Sequence, residues 1–165
     1  MPEFELVWRL VLAASLGAVL GLERSLAGKH AGMRTYALVS TGSAMFVIIG
    51  VQASYQLASF TGINPLQIAS NVVLGVGFLG TGLAVFRGDH PVELTTAAGL
   101  WVAAGIGMAA GFGFGVLALG GAVIAVLILT LLLSVENKVR DRYSDKPVVL
   151  KTSVKRRQKK LPAVE

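Results

Sequence analysis

The chain has 165 residues, enough for one domain, and 54% of them are hydrophobic. Its mean hydropathy of +0.70 is too high for an ordinary soluble domain. The absence of cysteine excludes disulfides and cysteine-based metal sites. The net charge of +6 does not indicate nucleic-acid binding, because ten of the fifteen Lys and Arg residues lie after Val135 and not on a folded module.

Two long charge-free stretches predict membrane spans. No Asp, Glu, Lys or Arg occurs in residues 35–86 or 94–135, which are 52 and 42 residues long. A helix that crosses a bilayer needs about 20 apolar residues, so each stretch holds two spans. The sequence therefore predicts an all-α integral membrane protein with five transmembrane helices. The transmembrane domain covers residues 1–135, with spans at about 6–22, 35–52, 66–86, 94–110 and 116–135.

The distribution of basic residues predicts the orientation. The loops at 23–34 and 87–93 and the tail at 136–165 hold 3, 1 and 10 Lys or Arg residues, whereas the loops at 53–65 and 111–115 hold none. Loops rich in Lys and Arg stay in the cytoplasm. Five spans then place the N-terminus outside and the C-terminus in the cytoplasm.

The first span has one alternative reading and one packing motif. The small-x-small sequence at 25–27 is typical of a signal-peptide cleavage site, but Glu23 and Arg24 stand where that region prefers small neutral residues. We therefore expect the span to be retained. Gly17 and Gly21 form a G-x-x-x-G pair, which is typical of close helix packing.

The tail reads as a helical extension over 136–143 followed by a basic, partly disordered segment. Its basic run at 155–160 is expected to rest on anionic lipid, at about 1 kcal/mol per cation near the surface. Docking of a partner protein is the alternative. At 30 residues, the tail is expected to be too short to form a further domain of its own.

Polar residues from the two charged loops are predicted to share one level, the cytoplasmic edge of the membrane. Taken singly, each fits a structural role, as a solvated charge or a helix cap. As a set, they bring opposite charges together, with Glu23 or Glu93 available to pair with Arg24 or Arg34. We call these eight residues the edge cluster: Glu23, Arg24, Arg34, Thr35, Asp89, Glu93, Thr95 and Thr96.

The spans themselves contain few polar groups. Asn71 is the deepest amide, and it either joins helices by hydrogen bonding or lines a polar path. Trp101 reads as a packing residue. Four glycines of the third span would let another backbone approach closely: Gly75, Gly77, Gly80 and Gly82.

Signals for metal or catalytic chemistry are weak. Magnesium is held in proteins through carboxylates, and no carboxylate lies within the middle of any span. His30 and His90, in separate loops, do not define a metal site. The sequence contains no catalytic triad, P-loop or dinucleotide motif. We therefore predict no cofactor and no enzymatic activity, and the metal ligands stay unassigned.

Three blocks carry a family resemblance. They are GLER at 21–24 with AGMRTYALV at 31–39, GVGFLGTG at 75–82, and LTTAAGLW at 94–101. In their order and spacing, these blocks resemble the MgtC/SapB family of bacterial inner-membrane proteins. The resemblance implies a five-span domain in the inner membrane. It also implies functional roles for the residues of the matching blocks: Glu23, Arg24, Arg34, Thr35, Thr95, Thr96 and Trp101.

The resemblance further implies a role in magnesium or ion homeostasis. The leading hypothesis is a regulator of other membrane proteins, and the alternative is a transporter or channel for Mg²⁺ or another ion that acts as an oligomer. A third reading is simple self-assembly through the glycine faces, for which the pair Gly17 and Gly21 is a candidate contact. The expected partners are the lipid bilayer, a second copy of the chain (most simply as a dimer), another membrane protein or Mg²⁺, and no nucleic acid.

Overall fold

The computed structural model describes residues 2–57, 64–85 and 94–144, and all regular structure in them is helical. The helices are α1 (Glu3–Leu26), α2 (Met33–Gln56), α3 (Pro65–Val85), α4 (Leu94–Phe112) and α5 (Gly115–Ser144). Each is long and apolar enough to cross a membrane. The prediction of an all-α protein with five such helices is confirmed, while the orientation stays a prediction.

Four of the five helices are longer than the predicted spans, and α3 has the predicted length of 21 residues, shifted by one position. The predicted limits followed the nearest charge, but charged side chains fit easily into a last helical turn. Glu23 and Arg24 therefore belong to α1 and not to a loop. The turn between α4 and α5 is shortened to Gly113 and Phe114, where a longer GFGFG turn was expected. Helix α3 is continuous through its four glycines.

Helices α2 and α4 form the centre, since each contacts the other and both contact α1 and α3. The contact joins two rows of residues spaced one helical turn apart. The α2 row is buried and consists of Tyr36, Ser40 and Ala44. The α4 row is small and consists of Gly99, Ala103, Gly107 and Gly111. A Cβ added to Gly111 would lie 2.7 Å from the carbonyl oxygen of Ala44, so the two backbones are in direct contact.

Helix α1 packs on α2 through its own glycine pair. A Cβ on Gly17 would lie 2.7 Å from the carbonyl oxygen of Tyr36, and one on Gly21 would lie 2.5 Å from the Cα of Met33. The Ser40 hydroxyl donates a hydrogen bond of 2.8 Å to the α1 backbone. The G-x-x-x-G pair is thus a close-packing face within one chain. Within the described residues α2 occupies this face, and self-assembly of two copies through Gly17 and Gly21 stays a prediction.

Arg9 joins the N-terminal part of α1 to the C-terminal end of α4. Its guanidinium donates to the carbonyl oxygen of Gly111 at 3.1 Å and pairs with Glu5. The same side chain lies against Gly113. The φ of this residue is +88°, in the left-handed region that glycine adopts without steric strain. A cation at this position also interacts favourably with the negative C-terminal end of α4.

The first part of α5 adds a row of buried alanines to the core, Ala118, Ala122 and Ala125, in one apolar cluster with Leu20 and Leu100. The chain divides into two units after Thr130. In the second unit, the described residues continue α5 to Ser144, across the predicted helical extension, and their described side chains are exposed. The rest of the predicted tail lies outside the described residues.

Candidate functional site at the converging helix ends

Three helix ends meet at one side of the bundle. The close approach of Gly21 to Met33 brings the end of α1 to the start of α2. The Tyr36 hydroxyl then donates a hydrogen bond of 3.1 Å to the carbonyl oxygen of Thr96 and links α2 to the start of α4. The described members of the edge cluster lie on these three ends, while Asp89 and Glu93 lie outside the described residues.

Glu23 and Arg24 form an ion pair in the last turn of α1. Arg24 is 2% exposed, and its Nη2 lies 2.7 Å from Oε1 of Glu23. Its Nε donates to Oε2 of the same carboxylate, so the contact is bidentate. Of the pairings that the sequence allowed, this one joins neighbours on one helix and does not cross between loops. Over the described ranges, Arg34 has no acidic partner.

Tyr36 is a central residue that the sequence reasoning did not select. It is fully buried, and its hydroxyl end fills the space that a side chain at position 99 would need. Because Gly99 has no side chain, the phenol can pass over α4 and reach the backbone of Thr96. The signal in the sequence was the one-turn spacing of Tyr36, Ser40 and Ala44, which predicts one packed face.

The two threonines of α4 differ in environment. Both lie within the first turn after Leu94, so neither occupies the capping position that was predicted for them. Thr96 is buried, whereas Thr95 is exposed and lines a cavity of about 290 Å³ beside Leu20. Thr96 therefore positions the buried contact with Tyr36, while Thr95 remains accessible at the surface.

Arg34 and Thr35 are exposed in the first turn of α2. They line an open cavity of about 520 Å³ together with Lys29 and His30 from the α1–α2 connection. The Ser25 hydroxyl accepts the N–H of Met33 at 3.1 Å and fixes the start of the helix beside the cavity. The edge cluster is thus divided into a buried part, around Arg24 and Thr96, and an exposed basic part.

The residues selected inside the spans face outward. Asn71 is exposed in a groove of about 630 Å³ between α2 and α3, and it forms no hydrogen bond to the described residues. It therefore does not join helices within this part of the chain. Trp101 is also more than half exposed, beside a cavity of about 330 Å³.

The glycines of α3 are likewise open. A Cβ on Gly75, Gly77 or Gly82 would meet nothing within 4 Å, and one on Gly80 would only touch Ala97 at 3.5 Å. Their role as a packing face toward lipid or another chain stays a prediction. Within the described ranges, no group of three or more His, Asp or Glu side chains is placed to hold a metal ion.

We expect Tyr36→Phe to lower the free energy of unfolding by about 1 kcal/mol, because the hydroxyl that joins α2 to α4 is lost. Tyr55→Phe is the matched control, since Tyr55 is exposed. The measurement is reversible unfolding of the purified protein in mixed micelles. Equal effects of the two substitutions would contradict a structural role for the Tyr36 hydroxyl.

Comparison with known proteins identifies the family of the chain. A family model described as the MgtC family matches residues 10–138. The chain belongs to the MgtC family. This bears out the family resemblance that the sequence motifs indicated.

Individual relatives within the family extend the comparison. The chain is 42% identical over 127 residues to "Putative magnesium transporter YhiD" of Escherichia coli (strain K12), covering 76% of this chain and 59% of the relative. It is 42% identical over 134 residues to protein SrpB of Synechococcus elongatus, covering 76% and 73%. To protein SapB of Bacillus subtilis it is 30% identical over 159 residues, covering 94% and 68%. The match thus spans about six-tenths of the length of YhiD. No solved structure matches the chain significantly.

Proposed function

We propose that this protein is a non-enzymatic protein of the bacterial inner membrane that acts in magnesium or ion homeostasis by regulating other membrane proteins. The link to magnesium comes from the name of the relative YhiD. The observation that carries the regulatory role is the Glu23–Arg24 ion pair, in which the buried Arg24 neutralises a partly buried carboxylate at the end of a tightly packed group of helices.

The helix contacts favour a sealed group over an ion path. The backbones of α2 and α4 touch at Gly107 and Gly111, and those of α1 and α2 touch at Gly17 and Gly21. A hydrated ion has no room between surfaces in such contact. Mg²⁺ keeps several waters and binds through carboxylates, and the carboxylate of Glu23 is already engaged by Arg24.

The exposed part of the edge cluster supplies a surface for a partner. Its members Arg34 and Thr35 are accessible at one side of the described bundle beside the exposed His30, and Arg34 has no ion pair among the described residues. Charged groups at an interface rim direct the encounter and the choice of partner more than they add affinity. This surface suits recognition of another membrane protein at the level of the lipid headgroups.

One observation favours the alternative, an ion transporter or channel that acts as an oligomer. Asn71 presents an unbonded amide to the open groove between α2 and α3. A second copy placed against that groove would enclose the amide and create a polar position between protomers. In that case the path would lie between chains and not within one.

Flux measurements separate the two functions. We expect liposomes that contain the purified protein to take up Mg²⁺ no faster than empty liposomes, as read by an internal Mg²⁺-sensitive dye. An ionophore provides the positive control, and gel filtration checks that the protein is folded. A flux that Asn71→Leu or Arg34→Ala abolishes would overturn the regulatory proposal in favour of transport.

Growth supplies the complementary test. In a bacterium that lacks its own family member, we expect the chain to restore growth in low magnesium and Arg34→Ala to fail at equal abundance in the membrane. Lys138→Ala is the matched control, because it removes one exposed positive charge from another helix. Full growth with Arg34→Ala would show that the exposed part of the edge cluster is not needed for this function.

A further inference from the structure

We propose that the side of α3 that is turned away from the bundle binds a second copy of this chain, so that Asn71 of one protomer forms hydrogen bonds with the partner's Asn71. We call this side the outer face and define it by five exposed residues: Gln67, Asn71, Leu74, Phe78 and Thr81. The proposal names an interface between protomers, and it does not depend on whether the protein regulates other membrane proteins or transports an ion.

The outer face lies opposite the side of α3 that packs on the other helices. Val76 is buried, at 7% exposure. A helix turns by about 100° per residue, so each member of the outer face lies about 140–180° around the helix from Val76. Leu74 and Phe78 are accordingly 71% and 78% exposed. Lipid or another helix must therefore cover this face.

The spacing of the outer face matches that of a helix pair. Its members follow one another at alternating intervals of four and three residues, which is the a and d pattern of a parallel coiled coil. From Gln67 to Thr81 the helix rises about 21 Å, at 1.5 Å per residue. A contact along this stripe thus extends through most of the hydrocarbon core, which is about 30 Å thick.

The polar side chains of α3 are all exposed, although lipid offers them no hydrogen-bond partner. They are Gln67, Ser70, Asn71 and Thr81. The Thr81 hydroxyl satisfies itself within the helix, because it donates to the carbonyl oxygen of Gly77 at 2.9 Å. Gln67 is two residues after the start of α3, where a long side chain reaches the membrane surface.

Asn71 has no such outlet. It lies about 9 Å along the helix from Pro65, and its amide forms no hydrogen bond within the described ranges. An unpaired amide among lipid chains is costly, because it gives up its hydrogen bonds to water and gains none. Asn71 lies where the outer face borders the groove between α2 and α3, so a neighbouring helix can reach it. The amide therefore indicates a hydrogen-bond partner on another chain.

The chemistry of Asn71 selects a second copy as that partner. Copies of one chain enter the membrane in the same orientation, so a two-fold axis along the membrane normal brings identical residues together at the same depth. An amide carries both donors and an acceptor, and Asn71 is therefore complementary to itself. A single asparagine at an a position also fixes the register of two-stranded coiled coils. Gly77 borders the contact, and a Cβ there would meet nothing within 4 Å, which leaves room for close approach.

Disulfide cross-linking of the full chain in liposomes tests the contact. The chain contains no cysteine, so a single introduced thiol can form a disulfide only with another copy. We expect copper phenanthroline with dissolved oxygen to cross-link Leu74→Cys and Phe78→Cys efficiently. Ile124→Cys is the matched control, because Ile124 is 59% exposed and, like Leu74, lies nine residues after the start of its helix. Equal cross-linking of all three variants would reduce the contact to random collision and overturn the proposal.

The strength of the dimer tests the role of Asn71. Photobleaching steps of dye-labelled protein, counted over a series of protein-to-lipid ratios, give the dissociation constant. Asn71→Leu is expected to raise it about tenfold, the factor that corresponds to one interhelical hydrogen bond in a membrane. Asn71→Gln keeps an amide and should lose less, while Gln56→Leu, at an exposed amide of α2, should change nothing.

Two further results would overturn the assignment. An unchanged dissociation constant for Asn71→Leu would remove the paired amides from the interface. A wild-type protein that stays monomeric at every protein-to-lipid ratio would leave the outer face to a helix of another membrane protein. Because both measurements report assembly and not flux or growth, they separate failure of the dimer from failure of the proposed function.

Discussion

Gly107→Leu is expected to prevent assembly of the helix bundle, with a loss of at least about 3 kcal/mol in the free energy of unfolding. A Cβ at this position would overlap the backbone carbonyl of Ser40, which cannot move without shifting α2 as a whole. Overpacking of a side chain can be relieved by a rotamer change, but backbone contact cannot, so the cost lies at or above the usual range of 1–3 kcal/mol.

The same helix provides the control. Gly105 is exposed, and a Cβ there would meet nothing within 4 Å. Gly105→Leu therefore makes the same glycine-to-leucine change without a steric clash. Its midpoint of thermal unfolding in detergent should stay within about 2 °C of the wild type, which corresponds to less than about 1 kcal/mol. A folded, monodisperse Gly107→Leu protein with an unchanged midpoint would show that the α2–α4 contact does not decide stability.

The second large effect is expected at the partly buried ion pair of Glu23 and Arg24. Arg24→Met should lower the free energy of unfolding by about 3 kcal/mol, the low end of the range for breaking a buried ion pair, because it removes the partner of the Glu23 carboxylate, whose side chain is 12% exposed. The double substitution Glu23→Leu, Arg24→Met removes both charges. It should recover most of the loss, because an apolar pair of similar volume often replaces a buried ion pair without penalty.

Reversible unfolding in mixed micelles gives the four free energies of this double-mutant cycle. Arg34→Met is the matched control, since Arg34 is exposed and makes no ion pair over the described ranges; its effect should stay within about 0.5 kcal/mol. Additive losses in the cycle would mean that Glu23 and Arg24 stabilise the protein independently, contrary to the bidentate contact.

The helical composition and the family follow from local information. Charge-free runs of 52 and 42 residues are each long enough for two helices that cross a bilayer. A helix is the favoured structure there, because its backbone N–H and C=O groups form hydrogen bonds within the same segment. The motif blocks at 21–24, 31–39, 75–82 and 94–101 were sufficient to indicate the MgtC family. Helix limits were less accurate at Glu23 and Arg24, because a charge at the membrane edge does not end a helix.

The choice of packing glycines required the tertiary structure. The sequence drew attention to Gly75, Gly77, Gly80 and Gly82, where glycines are densest, yet a Cβ at three of these would meet nothing. The closest backbone contacts are at Gly17, Gly21, Gly107 and Gly111, spaced one turn apart on helices that face α2. Glycine spacing shows that a close contact is possible, whereas the identity of the facing helix shows whether it forms.

The same distinction holds for the polar residues. The sequence determined which charges lie near the membrane edge, but it left several partners open to Glu23 and Arg24, and it did not select Tyr36. Which of them pair depends on distances between segments far apart in the chain, such as Tyr36 and Thr96, which are 60 positions apart. Local composition determines which residues enter the membrane, and only the packing of the helices decides which polar groups are buried, paired or left open to a ligand.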